Sequence, residues 1–127
     1  MKKNYFGPQC PVKKALDILG GKWKMLIIYQ IGDEVRRYGE LRKLIPNISE
    51  KMLIQELKSL VEHDILNKKS YNEIPPKVEY TLTDKGKRVL PIIGQMKTFG
   101  MEYVVNKLLR PTKVWQKAGK SASYQQK

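Results

Sequence analysis

The sequence predicts a mainly helical domain with a small β-hairpin, arranged as a winged helix-turn-helix. Residues 38–45 and 49–63 have apolar positions at helical spacing, and only a short turn around Pro46-Asn47 separates them. Residues 66–71 and 77–82 follow as strands, because the second alternates apolar and polar side chains. A helix-turn-helix followed directly by a hairpin is the order of elements in a winged helix. An ordinary amphipathic surface helix would explain residues 49–63 alone, but not this order.

The second helix of the pair has the clearest pattern in the chain. Its apolar residues Leu53, Leu57 and Leu60 fall on one side of a helix with 3.6 residues per turn. Ser49 is a good N-cap, since its hydroxyl can accept a hydrogen bond from a backbone N–H of the first turn. The opposite side is polar and basic, as expected of a helix that faces a polyanion.

Length and charge limit the class of protein. The chain has 127 residues, 41% of them hydrophobic, which suits one domain with a modest core. Its net charge is +13, from 25 Lys and Arg against 12 Asp and Glu, and this favours nucleic acid before an anionic membrane as partner. No stretch approaches the roughly 18 apolar residues of a membrane span, and the start shows no signal core. We therefore expect a cytoplasmic protein without a membrane partner.

Catalysis and metal binding find no support in the sequence. The single cysteine, Cys10, and the single histidine, His63, exclude an internal disulfide, a cysteine cluster and a His–His metal pair. There is no Ser–His–Asp order, no paired carboxylate signature and no phosphate-binding glycine loop. We expect no catalytic residue, no cofactor and no metal, and hence not an enzyme.

Two further helices precede the pair. Pro11 is suited to the first position of a helix, and the pattern from Val12 to Leu19 ends at Gly20-Gly21. The segment 22–31 is apolar nearly all round after its first turn, which predicts a helix buried at the centre of the domain.

The C-terminal part predicts more helix. Thr83 is a candidate N-cap, and an apolar stripe runs from Val89 to Leu108 with Pro91 inside it, so two helical pieces are expected. We assign residues 8–108 to one DNA-binding and dimerisation domain. Residues 109–127 form a basic tail with no acidic residue, expected to be partly disordered.

Several motifs give the chain a family resemblance over about residues 8–108. It resembles the HxlR family of bacterial regulators, relatives of the MarR type, in Cys10-Pro11, Gly20-Gly21-Lys22-Trp23, Arg37-Tyr38-Gly39-Glu40-Leu41, Ile48-Ser49-Glu50-Lys51-Met52-Leu53 and Pro75-Pro76-Lys77-Val78-Glu79-Tyr80-Thr81-Leu82-Thr83. The resemblance implies a homodimer that binds a pseudo-palindromic double-stranded DNA operator. Several members sense electrophiles, quinones, aldehydes or oxidants through a cysteine at the position of Cys10. The operator, the regulated genes, the inducer and the direction of regulation do not follow from the sequence.

The candidate DNA-binding residues lie in three places. The first two turns of the second helix carry Ser49, Lys51 and Gln55, whose side chains pair with base edges, glutamine with adenine and lysine with guanine. Two arginines precede the first helix of the pair, where they can hold phosphate, and lysines flank the hairpin. Glu50 and Glu56 would oppose DNA, so we expect them to pair with nearby cations. The full predicted set is Arg36, Arg37, Ser49, Lys51, Gln55, Lys58, Lys68, Lys69 and Lys77.

A switch and a dimer interface complete the predictions. Cys10 opens a helix and is followed by Lys13 and Lys14, which favours a reactive thiolate. Two alternatives stay open: a structural Cys10 in a regulator that answers a non-covalent small molecule, and a DNA-binding architectural protein without sequence preference. The apolar stripes exceed one small core and predict dimerisation through Leu16, Leu19, Ile92, Ile93, Met96, Phe99 and Tyr103.

Overall fold

The computed structural model describes residues 7–105, so Leu108 and the predicted tail 109–127 lie outside the described residues. The chain divides into two units, up to Leu90 and from Pro91 onward. The elements in chain order are α1 (Pro11–Leu19), α2 (Lys24–Ile31), β1 (Arg36–Arg37), α3 (Tyr38–Leu44), α4 (Glu50–Glu62), β2 (Leu66–Tyr71), β3 (Lys77–Leu82), α5 (Asp84–Lys87), α6 (Leu90–Gly100) and a π-helical segment (Met101–Val105).

The helix-turn-helix consists of α3 and α4, as predicted. The Ser49 hydroxyl accepts a hydrogen bond of 3.0 Å from the Met52 backbone N–H, which confirms the N-cap. Asn47 lies in the turn with φ of 72°, a left-handed conformation that asparagine tolerates better than most residues. Leu53 and Leu57 turn into the core and anchor α4 by its apolar side.

A three-stranded antiparallel sheet forms the wing, in the order β1-β3-β2. The β2–β3 register runs from Leu66 opposite Leu82 to Tyr71 opposite Lys77, and confirms the predicted hairpin. The third strand, β1, is a finding that the sequence pattern did not predict. Its two residues pair with the inner part of β3, Arg36 with Tyr80 and Arg37 with Glu79. Two residues are too few to show a period of two, which is why β1 escapes sequence analysis.

The core of the first unit is built on α2, but α2 is not buried on all sides. Ile27, Ile28 and Ile31 have no exposed surface, whereas Leu26 and Tyr29 are exposed. α2 therefore supplies the centre of the core, as the sequence predicts, but one of its sides is exposed. A helix that is apolar at nearly every position does not show which side meets the core, because its pattern has no distinct polar side to contrast with it.

The short helix α5 closes the first unit against the end of α4. The Thr83 hydroxyl accepts from the Gly86 N–H at 2.8 Å and lies 2.7 Å from the Asp64 carbonyl, to which it donates. Gly86 is buried, and a Cβ there would collide with the Ile65 carbonyl. Glycine is thus required at this contact because backbone approaches backbone directly.

The second unit consists, within the described residues, of most of α6 and the π-helical segment. Pro91 lies in the first turn of α6, where its missing N–H costs no helical hydrogen bond. Two helical pieces, α5 and α6, do occur, but they are separated at residues 88–89. The expectation that Pro91 divides the apolar stripe is wrong, because Pro91 lies within the first turn of α6. No described helix is long and apolar enough to cross a membrane.

Candidate nucleic-acid interface

The exposed side of α4 presents four neighbouring side chains. Lys51, Ile54, Gln55 and Lys58 are all exposed, and at 3.6 residues per turn they fall within an arc of about 100°. The buried leucines occupy the opposite side. The Ser49 hydroxyl accepts a hydrogen bond from a backbone N–H of the first turn, so α4 is regular from its start. Its exposed face then carries the ammonium groups of Lys51 and Lys58 and the amide of Gln55.

Two of the three glutamates of α4, Glu50 and Glu56, pair with cations of other helices, as the sequence predicted. Glu50 lies 3.7 Å from the Arg42 guanidinium of α3. Glu56 forms an ion pair with Lys24 of α2, and both side chains are only 16% exposed. Neither Glu50 nor Glu56 is left to oppose a polyanion alone. The third glutamate, Glu62, is exposed at the far end of α4, so the positive character of the α4 face belongs to its first turns, around Lys51 and Lys58.

The outer face of the wing is held by a cluster of side chains. The Tyr71 hydroxyl donates a 2.7 Å hydrogen bond to the Glu79 carboxylate, and this bond together with the Lys77 charge lowers the pKa of Glu79. The Lys77 Nζ lies 3.6 Å from that carboxylate and 4.3 Å from the Tyr71 ring centroid. Lys69 approaches the same ring at 5.1 Å.

This cluster changes the interpretation of the wing lysines. The Lys77 side chain is 24% exposed and its ammonium is paired, so Lys77 braces the hairpin more than it offers a free cation. Lys68 and Lys69 remain exposed on β2. The structure therefore brings two of the three predicted wing lysines to the surface in an accessible form.

The two arginines before α3 play different parts. Arg36 is half-buried, and its Nε donates a 2.9 Å hydrogen bond to the Gln30 carbonyl at the end of α2. Arg37 is exposed on the opposite face of β1, and its backbone N–H donates to the Glu40 carboxylate at 2.8 Å. Arg36 thus joins the sheet to α2 and is less available to phosphate than Arg37, which is exposed in a position that suits phosphate.

Sequence analysis missed Ile54. It is 52% exposed on the polar side of α4, and it lines a depression of about 350 Å³ together with Lys58 of α4 and Lys68 and Tyr80 of the wing. The sequence did contain a signal for Ile54, since it is an apolar residue among the polar positions Lys51, Gln55 and Lys58. The buried side of α4 is already formed by its leucines, so Ile54 is not needed there.

Cys10 lies at the N-cap of α1 and is buried, with 7% of its surface exposed. Its side chain caps no backbone group, and its carbonyl accepts from the Lys14 N–H at 2.9 Å. The Lys13 ammonium lies 3.6 Å from the Asp17 carboxylate, one turn further on. A reactive cysteine is normally partly exposed, so this burial limits access to the thiol in a single chain.

The predicted dimerisation residues occupy one surface in each unit. In the first unit α1 has no buried residue, and Leu16 is 61% exposed. In the second unit Ile92, Met96 and Phe99 are exposed, with the Phe99 and Tyr103 ring centroids 5.2 Å apart. Ile93, in contrast, is buried in the single chain and must be removed from the predicted interface. The predicted interface on α6 therefore included one apolar residue that packs inside its own chain.

No cluster of three or more metal-ligating side chains occurs among residues 7–105. What the described part of the chain does offer is a capped helix with a basic, exposed side and a neighbouring wing. Helix-turn-helix and wing together define a DNA-binding class of protein.

Comparison with known proteins identifies the family. The family model for the HxlR-like helix-turn-helix matches residues 18–108, and the chain belongs to this family. An uncharacterised helix-turn-helix transcriptional regulator of Bacillus subtilis, YdeP, is 43% identical over 94 residues, covering 74% of this chain and 73% of its own. The protein is therefore a helix-turn-helix transcriptional regulator.

Solved structures agree with the fold. A MarR-family transcriptional regulator of Porphyromonas gingivalis W83 superposes with a TM-score of 0.76 at 53% identity, covering 77% of this chain and 96% of the other. The oxidised form of the redox regulator HypR gives a TM-score of 0.69 at 41% identity, covering 72% and 95%. The winged helix predicted from the sequence is thus confirmed.

Proposed function

We propose that the protein acts as a homodimer on a pseudo-palindromic DNA operator, with one α4 in the major groove of each half-site. The observation that carries this proposal is the exposed, capped face of α4 with Lys51, Gln55 and Lys58. Gln55 suits adenine and Lys51 suits guanine, each through hydrogen bonds to the base edge.

The wing and β1 supply the contacts that do not depend on sequence. Lys68, Lys69 and Arg37 are exposed and carry the charges that hold phosphate oxygens beside the groove that α4 enters. The net charge of +13 supports a large electrostatic share of the affinity.

Dimerisation is proposed from the exposed apolar surfaces of α1 and α6. Apolar side chains at helical spacing, such as Val12 and Leu16 on α1, are unusual on a highly charged monomer. A second copy of the chain would remove them from water. Two α4 helices would then read half-sites about 34–36 Å apart, one turn of DNA.

In vitro selection from random duplexes tests the DNA proposal. We expect an enriched sequence with two inverted half-sites about one turn apart, bound about a thousandfold or more above random DNA. Equal, salt-dependent binding to every duplex would instead select the architectural alternative.

For the switch, we propose covalent change at Cys10, supported by the similarity to the redox regulator HypR. Within this chain no second cysteine can form a disulfide, so an oxidised Cys10 must join the Cys10 of the other subunit or a small thiol, and an electrophile would form a direct adduct. The alternative is that a non-covalent ligand acts and the thiol is structural, and the burial of Cys10 is the observation behind it.

A comparison of wild type with Cys10→Ser separates the two. If Cys10 is the sensor, diamide or a quinone lowers operator affinity in wild type, whereas Cys10→Ser binds DNA normally and no longer responds. If both proteins respond alike, or neither responds, the covalent switch is wrong and a pocket ligand becomes the better explanation.

A further inference from the structure

We propose that Ile54 reads the 5-methyl group of a thymine in the major groove, as a specificity-determining residue beside Gln55. This inference rests on the proposed function, because it requires α4 to enter the groove. It adds a base preference that hydrogen bonding alone would not provide.

Packing of the core does not account for Ile54. Its neighbours Leu53 and Leu57 are at most 1% exposed, whereas Ile54 is 52% exposed. It lies in the same arc as Lys51, Gln55 and Lys58, and it stands in the first two turns of α4, the part that reaches base edges in helix-turn-helix proteins. A partner on this face would therefore meet Ile54 together with Gln55.

The charges around Ile54 indicate which partner fits this face of α4. The depression beside Ile54 is bordered by two lysines, Lys58 and Lys68, and by one glutamate, Glu62. With two ammonium groups and one carboxylate the border is net positive, and this favours a polyanion over a second copy of the basic chain, whose proposed contact lies on α1 and α6. DNA brings phosphates to the ammonium groups and exposes in its major groove one apolar group, the thymine methyl.

The shape of the isoleucine side chain also suits contact with a methyl group. Isoleucine is branched at Cβ and has few rotamers in a helix, so little side-chain entropy is lost when it contacts a methyl group. The contact would exclude water from both hydrocarbon surfaces, which is the ordinary hydrophobic gain.

Deoxyuridine tests this contact, because it differs from thymidine only by the missing methyl. Each thymine of the selected operator is replaced in turn, and dissociation constants are measured for wild type, Ile54→Ala and the control Leu26→Ala, which shortens an exposed side chain of α2. We expect wild type and Leu26→Ala to lose affinity about three- to fivefold at one position per half-site. Ile54→Ala should bind the thymine operator more weakly and no longer distinguish the two bases there.

Three results would overturn the proposal. Wild type could bind every deoxyuridine operator as well as the original. Ile54→Ala could keep the full thymine preference. A change in the sedimentation of Ile54→Ala with an unchanged thymine preference would make Ile54 a contact between proteins. Absence of any preferred operator for wild type would contradict the proposed function itself, and is a separate result.

Discussion

Gln55 and Lys68 lie on different elements and should show different kinds of DNA contact. Gln55→Ala should weaken operator binding by about 1–3 kcal/mol and relax the preference at one base pair, since its amide is assigned to a base edge. Lys68→Ala should weaken binding to all duplexes and lower the slope of log affinity against log salt by about one unit. Titrations of operator and random DNA at several salt concentrations measure both. Equal losses on both duplexes for Gln55→Ala would contradict its role in base reading.

Tyr80 should give the folded state an alkaline limit. Tyr80 lies on β3 with its side chain buried. Burial of the phenol, the larger cause, and the electrostatic effect of the nearby Tyr38, the smaller one, raise the pKa of Tyr80 above the ordinary value of 10.0. The folded chain therefore holds a proton that the unfolded chain releases. This contribution to the free energy of unfolding is complete below about pH 10 and is lost as the pH rises through the folded pKa.

Tyr80→Phe tests this limit in urea unfolding at about pH 8.5 and about pH 11. The fall of the midpoint between the two should be smaller for Tyr80→Phe than for wild type. Tyr29→Phe, which changes an exposed tyrosine of α2, should keep the wild-type fall. An equal fall in all three proteins would show that the Tyr80 phenol does not contribute.

At the level of elements, Gly86 determines how α5 closes on the preceding turn. Gly86→Ala should lower the free energy of unfolding by about 1–3 kcal/mol, because the new methyl meets the Ile65 carbonyl and the backbone must move. Gly39→Ala is the matched control, since a Cβ there meets nothing within 4 Å and alanine is the better helix former. Urea unfolding measures both, and equal stability of the two variants would refute the close contact.

The sequence predicts those elements whose pattern contrasts a buried with an exposed side. α4 and β3 show such a contrast and have the predicted positions. α2 lacks it, and one of its sides proved exposed. β1 is set by pairing with β3, a contact between residues far apart in sequence, and a two-residue pattern cannot reveal it.

The same reasoning explains the site. Lys51 and Gln55 were predictable because helical spacing alone fixes their face. The hydrogen bond of Arg36 to the Gln30 carbonyl depends on how β1 packs beside α2, and no local pattern contains it. Lys77 and Glu79 share one face of β3 by strand spacing, but the Tyr71 hydroxyl that binds Glu79 comes from the neighbouring strand. Residue type therefore identifies candidate cations, and the fold decides which of them stay free.

For the whole molecule, the association of two chains should depend on Phe99. Phe99 is 61% exposed, and burial of such a ring is worth about 1.5–3 kcal/mol in each subunit. Phe99→Lys should shift the protein toward monomer and abolish tight operator binding, as measured by sedimentation and DNA titration. Thr98→Lys adds the same charge on another side of α6 and should leave the dimer intact. A wild-type chain that sediments as a monomer at micromolar concentration would contradict this prediction.

The central place of β3 has a mechanical consequence. It is hydrogen-bonded on one side to β1, which leads directly into α3, and on the other to β2, so the hairpin cannot tilt without straining the entry to the helix-turn-helix. The helix-turn-helix and the β2–β3 hairpin are therefore held at a fixed separation. Over- or underwinding of DNA changes the distance between adjacent grooves, so such DNA would fit α4 and the hairpin less well. We therefore expect the regulator to respond to the torsional state of its operator as well as to its bases.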